Sequence, residues 1–248
     1  DGVSDDCQRL VKSAFMDDEL CHHMKLTSAN SINVARFLPQ AFYYFYAYAQ
    51  LKRLGKENNY VICVPSGNFG NITAAIFGQK MGLPVKRFIA ANNANDIVYK
   101  YLQTGKYEPC ASKQTIANAM DVGDPSNFAR IHDLFNGSYE QISAIMSGAT
   151  YSDEQIRKAM KACHDTTGYI LDPHGACGYE ALKEQLQPGE HGVFGETAHP
   201  AKFKNVVEDA IGAEVQIPAR LAAFMKGTKQ SVEMSKEFDD FKAFLMKQ

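Results

Sequence analysis

Six residues, Ser66-Gly67-Asn68-Phe69-Gly70-Asn71, combine two glycines with hydroxyl and amide side chains, and no Asp or Glu lies between Tyr60 and Thr73. The apolar run Tyr60-Val61-Ile62-Cys63-Val64 precedes them, and a helix-like stretch from about Gly70 to Met81 follows, with Gly82 and Pro84 as stop signals. The six therefore sit at a strand-to-helix turn. There the unpaired N–H groups of a first helical turn converge, and the helix dipole favours an anion. The pattern predicts a phosphate cradle. It is neither G-x-G-x-x-G nor G-x-x-x-x-G-K-[ST], which disfavours dinucleotide and P-loop sites. A tight turn whose glycines only satisfy backbone geometry stands as the alternative.

Other reactive residue types give less. His174 and His199 have no carboxylate or second His at metal-ligand spacing, and the adjacent His22 and His23 do not share a helix face. No metal site is expected. Six cysteines, at 7, 21, 63, 110, 163 and 177, form no C-x-x-C pair, so reduced thiols and a cytoplasmic setting are expected rather than a disulfide framework. Twenty-six Lys plus Arg against 28 Asp plus Glu leave a net charge of −2, which offers no attraction for nucleic acid or an anionic membrane. No apolar run approaches the roughly 20 residues that cross a bilayer. The opening Asp1-Gly2-Val3-Ser4-Asp5-Asp6 lacks Met and reads as the interior of a longer chain.

The elements that would carry the cradle alternate. Cys7 to Phe15 and about Val34 to Leu54, with its aromatic run Phe42 to Tyr46, read as helices. Val85 to Ala90 reads as the strand after the cradle helix, completing a β-α-β unit with a parallel sheet. Asp124-Pro125 suits a helix start running through Phe135, and Ser152 with Gln155 a capping box for a helix ending near Gly168. Tyr169 to Leu171, Gly192 to Gly195 and Ala213 to Ile217 are weaker strand candidates, and Glu233 to Lys247 a surface helix. The fold class is α/β, a doubly wound, mostly parallel sheet.

Four ordered blocks support a resemblance. They are Ser28 to Asn33 with Arg36, Gln40 and Tyr43-Tyr44; Gly67 to Asn71; Ala119 to Asp121 with Pro125 to Phe128; and Asp172-Pro173-His174 with Thr197 to Phe203. Together they resemble the threonine synthases, members of the fold type II (tryptophan-synthase-β-like) pyridoxal-phosphate enzymes, over nearly the whole chain.

The resemblance implies that Gly67, Asn68, Phe69, Gly70 and Asn71 bind the phosphate of pyridoxal 5'-phosphate and that Thr197 faces its ring nitrogen. Ser31, Arg36 and, more weakly, Asn33 would bind the phosphate of O-phospho-L-homoserine, and His199 would line the ring pocket. Read without the resemblance, Arg36 is an exposed helix charge and Thr197 a helix cap before Pro200. The family's covalent (Schiff-base) lysine lies in a Phe-Lys-Asp motif upstream of the glycine loop. No Phe-Lys-Asp occurs here, since Phe203-Lys204 leads to Asn205 and Phe241-Lys242 to Ala243. The expectation is a C-terminal part of a threonine synthase, inactive alone, whose N-terminal part is a missing partner leaving an exposed apolar surface. Residues 1–57 would be the remainder of the smaller cofactor domain and a connecting helix, and 58–248 the large α/β domain. A threonine or serine dehydratase, and a non-catalytic phosphate-ligand-binding module, are the alternatives.

Overall fold

The computed structural model of the protein describes residues 4–248, with side chains from residue 6 onward. Residues 1–3, part of the stretch read as chain interior, lie outside the described residues. The chain begins with α1 (Ser4–Phe15), α2 (Asp18–His23), α3 (Val34–Phe37) and α4 (Ala41–Arg53). The helix expected over Val34 to Leu54 is thus broken. Pro39 has no N–H to continue the ladder, and a 3-10 turn over Leu38–Gln40 bridges the two pieces.

The sheet starts at β1 (Tyr60–Pro65), every residue of which is buried. After α5 (Gly70–Lys80) come β2 (Arg87–Asn92), α6 (Ile97–Thr104), α7 (Phe128–Leu134), α8 (Tyr139–Ile145) and β3 (Met146–Thr150). Then α9 (Asp153–Thr167) and α10 (Pro173–Gln185) precede β4 (His191–Phe194), and α11 (Lys204–Ile211), α12 (Ala219–Met225) and α13 (Phe238–Leu245) close the chain. All pairings are parallel and the strand order is β3-β2-β1-β4. A strand's side chains alternate between faces. Tyr60, Ile62 and Val64 of β1 therefore join α5's Ile72 and Ile76 in one core, while Val61 and Cys63 join α9, α10 and α11 in the other. This is the doubly wound arrangement the sequence implied.

Some boundaries differ. The Ser152–Gln155 capping box forms and Gly168 ends α9 in the left-handed region, as expected. Asp124 accepts a hydrogen bond from the Tyr107 hydroxyl (2.9 Å) instead of capping, and α7 starts only at Phe128. Tyr169 to Leu171 and Ala213 to Ile217 are not strands. Side chains satisfy the latter's backbone: Val215 N–H donates to Glu208 Oε1 and its carbonyl accepts from Lys204. Strand β3 was not anticipated, because Met146-Ser147-Gly148-Ala149-Thr150 carries neither an apolar run nor clean alternation. The last surface helix covers only Phe238–Leu245 of the expected span. Among the described residues, no helix is long and apolar enough to cross a membrane, and no cluster of three or more His, Cys, Asp or Glu could hold a metal.

Candidate active site

In an open parallel sheet, ligands bind beyond the carboxyl ends of the strands where the order reverses. The order β3-β2-β1-β4 reverses between β1 and β4. From these two ends emerge Ser66 to Asn71 and Gly195 to Thr197.

Ser66 prolongs the sheet by donating to the Ala91 carbonyl (2.8 Å), and its own carbonyl accepts from the buried Asn92 amide (2.7 Å). Gly67 then passes against a neighbouring loop, where an added Cβ would stand 2.6 Å from Met120 Cα and 2.9 Å from the Ala119 carbonyl. Only glycine fits. Phe69 turns the chain into α5 with φ of 61°, and its buried ring joins the core that Ile72 also enters. The N–H groups of Gly67, Asn68, Phe69 and Gly70 meet no acceptor among the described residues. Four free donors at a helix N-terminus, with no carboxylate in the loop, suit an anion.

The two asparagine side chains also hold the loop in place. Asn68 donates to Ser31 Oγ (3.1 Å) and accepts from Ser126 N–H (2.7 Å). Asn71 donates to the Pro65 carbonyl (2.8 Å) and accepts from Ile72 N–H (2.9 Å). Each braces the loop through one N–H of its amide, beside the free backbone donors.

Ser31 joins this crevice from a distant segment. Its Oγ accepts from Asn68 and from the fully buried Asn127 (3.0 Å) and approaches Asn30 Oδ1 (3.2 Å). Arg36 donates through Nε to the Ala29 carbonyl (3.0 Å), and its remaining guanidinium faces a shallow cavity of about 340 Å³ shared with Gln40 and Tyr43. Asn33 caps α3 by accepting from Ala35 N–H (3.0 Å) and donates to Thr27 and the Ser28 carbonyl. Its side chain shapes the Ser31–Arg36 segment.

Arg130, on α7, was missed by sequence reasoning. Its guanidinium donates to the carbonyls of Ser31 (2.7 Å) and Ile32 and to Asn127 Oδ1, and stands 4.9 Å from the Phe37 ring centroid. It clamps the Ser31 segment to the loop. Burial holds its pKa below the usual arginine value. Its partners lie almost a hundred residues upstream, so no local pattern marks it.

At the other strand end, Gly195 N–H donates to the Cys63 carbonyl (2.9 Å), which carries the chain off β4 beside Pro65. Thr197 is exposed there. It does not cap the following turn; His199 does, accepting from Ala201 N–H through Nδ1 (3.1 Å). Behind Gly67, Asp121 organises the loop that supports Ala119 and Met120. It accepts from Asn93, Asn95 and Thr115 through Oδ1 and from Thr115 N–H through Oδ2. His174 is buried, with Nδ1 2.5 Å from Asp172 Oδ1, a carboxylate partner two residues away that the sequence reading overlooked.

Known proteins share this fold. Residues 1–194 match the family model described as pyridoxal-phosphate dependent enzyme, and residues 175–245 the model of the threonine synthase C-terminal region. The chain is 46% identical over 246 residues to threonine synthase from Serratia marcescens, covering 99% of this chain and 57% of that protein. Against threonine synthase from Escherichia coli K12 it is 47% identical over 222 residues, covering 90% and 51%. The crystal structure of the Escherichia coli threonine synthase aligns with a TM-score of 0.93 at 43% identity over all of this chain and 57% of that one. A PLP-bound threonine synthase from Brucella melitensis gives 0.84 at 31%, over all of this chain and 58% of that one. The chain thus spans a little over half the length of these relatives. With a family model matched from residue 1 to residue 194 and the cradle in its crevice, the chain belongs to the pyridoxal-phosphate dependent enzymes.

Proposed function

We propose that the protein carrying this chain is a threonine synthase that converts O-phospho-L-homoserine and water to L-threonine and phosphate. The observation that carries the reading is the meeting of the glycine loop and the Ser31 segment, which are locked together through Asn68, Asn127 and Arg130 in one crevice. A cofactor phosphate and a substrate phosphate would each find donors there.

The residues present fit pyridoxal 5'-phosphate. Four unengaged amides, from Gly67 to Gly70, match a phosphate dianion, and glycine at 67 lets the backbone close up behind it. When bound, the cofactor supplies an electron sink for elimination and replacement next to the amino-acid backbone. Thr197 would supply a neutral hydroxyl for the ring nitrogen. Arg36 has guanidinium N–H groups free for a second phosphate, and Arg makes bidentate pairs with such groups. Ser31 is already hydrogen-bonded, so its part is to set the edge of the pocket and to offer its hydroxyl when Asn30 releases it.

The covalent lysine belongs, in this reading, to the preceding part of the polypeptide, which is also the partner that completes the site. Phe42, Tyr43 and Tyr46 project from α4 at 68%, 74% and 69% exposure, an apolar face suited to that partner. The six free thiols fit a reducing compartment, the cytoplasm. The test is the whole protein assayed on O-phospho-L-homoserine, with phosphate and threonine both measured. Deamination of L-threonine or L-serine without phosphate release would overturn the reading in favour of a dehydratase.

A further inference from the structure

We propose that Glu196 and Asp172 share one proton, and that this carboxyl pair is the clasp fixing the Thr197 segment to the glycine-loop side of the crevice. The inference rests on the reading of that crevice as the cofactor site, and its residues are positioning residues.

The geometry is a continuous chain of contacts. Glu196 leaves β4 one residue before Thr197 and turns inward to the first turn of α10. There its Oε1 accepts from Asp172 N–H at 2.9 Å. Asp172, fully buried, caps α10 by accepting from His174 N–H (2.7 Å), and the same oxygen takes the His174 ring at 2.5 Å. His174 Nε2 accepts from Ala119 N–H (3.1 Å), so the ring's proton is on Nδ1, facing Asp172. Ala119 and Met120 in turn form the wall against which Gly67 is pressed. Thr197 is thereby connected to the back of the glycine loop.

One link in this chain is incomplete if both carboxyls are ionised. The Glu196 carboxyl lies against the Asp172 backbone, with Oε1 2.9 Å from its N–H, yet Glu196 Oε2 and Asp172 Oδ2 are both buried without a partner. Two carboxylates in contact repel and have no donor between them, whereas one proton between them satisfies both. The site is also built to admit the Glu196 carboxyl. An added Cβ on Gly175 would lie 1.8 Å from Oε2, so any larger residue there evicts it.

The other titratable groups turned toward the pair are the Tyr169 phenol and the Cys177 thiol, with Cys63 and Asp153 behind. None is a cation that could hold two negative charges. Burial, then the contact with Asp172, pushes the Glu196 carboxyl up to about 9. Burial opposes ionisation of Asp172 too, but hydrogen bonds from His174 and Glu196 outweigh it and hold Asp172 below its usual value. Asp172 Oδ1 already accepts from His174 N–H and faces the protonated Nδ1, an environment that suits its ionised form and leaves the proton to Glu196.

The sign of the resulting pH dependence follows. A folded state that keeps a proton the unfolded chain has lost loses stability as pH rises, here from about 4.5 to about 9, and is level beyond. The experiment compares the protein with its Glu196→Gln and Glu196→Ala variants. Gln keeps an N–H donor toward Asp172 and an oxygen for its N–H, and Ala keeps neither. Infrared spectroscopy near pH 7 is expected to find one buried protonated carboxylic acid that Glu196→Gln removes. Urea midpoints from pH 5 to 9 are expected to lose their alkaline decline in Glu196→Gln. Affinity for added pyridoxal 5'-phosphate is expected within about 3-fold of the parent in Glu196→Gln and at least about 10-fold weaker in Glu196→Ala. A missing acid band, or an alkaline decline unchanged in Glu196→Gln, overturns the shared proton, and both read out even where the Ala variant fails to fold. Equal cofactor affinity in all three proteins overturns the clasp. A protein that binds the cofactor and passes these tests but fails to make threonine would refute the proposed reaction and leave the clasp standing.

Discussion

Ser31 and Gly70 leave no room for a methyl group between them: a Cβ on Gly70 would stand 2.7 Å from Ser31 Cβ and 3.0 Å from its Oγ. The cradle and the segment assigned to the substrate phosphate are therefore in direct steric register, and a change at one must be felt at the other.

Gly70→Ala is expected to push the Ser31 segment outward and to cost about 1–3 kcal/mol of stability, the usual range for overpacking. In the proposed reading this segment would border the substrate phosphate, so the KM for O-phospho-L-homoserine should rise more than kcat falls. Steady-state kinetics and urea unfolding check this. Unchanged KM together with unchanged stability would show that Ser31 moves freely.

Arg130→Met removes the donors to the Ser31 and Ile32 carbonyls while keeping an apolar stem against Phe37. Hydrogen bonds to a charged group contribute about 1.5–3 kcal/mol, and a loss of that order is expected in kcat/KM. Arg130→Lys should recover little of it, since an ammonium does not reproduce the guanidinium fork. Full rescue by Lys would argue that only charge matters at this position.

Glu190 binds Arg87 through both oxygens (3.1 and 2.7 Å), and Lys86 adds a third contact. These contacts, Arg87 first, bring its carboxyl down to about 2. Its stabilising contribution is complete above the unfolded value near 4.5 and disappears as pH falls toward 2. Glu190→Gln should lose about 2 kcal/mol at pH 7 and show a shallower acid limb in urea titrations. An acid limb identical to the parent's would mean that other carboxylates set it.

The exposed face of α4 yields a prediction about association. The 248-residue chain alone should bind a hydrophobic dye, and a triple variant with Phe42, Tyr43 and Tyr46 changed to Ser should bind markedly less. In the longer protein the same changes should destabilise instead. If they leave the longer protein unaffected, this face is not where the preceding part of the polypeptide packs.

The strand, glycine turn and helix start were legible in the sequence because their signals are local and lie within about twenty residues. The capping box at Ser152 and Gln155 was legible for the same reason. Arg130, Asn127 and the Asp172–Glu196 pair were not. Each works through partners 24 to 99 residues away, and only the fold brings those together. Strand β3 escaped because Gly148 fits under Tyr99 and Leu102, a packing reason for glycine that resembles a turn signal in sequence. Asn68 and Asn71 were expected at the cofactor phosphate, and the fold adds that each amide also braces the loop.

The left-handed turn at Phe69 has one more implication. A bulky residue at φ of 61° carries backbone strain of about 1–2 kcal/mol, and the buried ring is what offsets it. Folding thus absorbs the conformational cost within the core. The shape of the loop is thereby tied to the packing beneath it, so a change among the core neighbours of Phe69 reaches the loop without touching it.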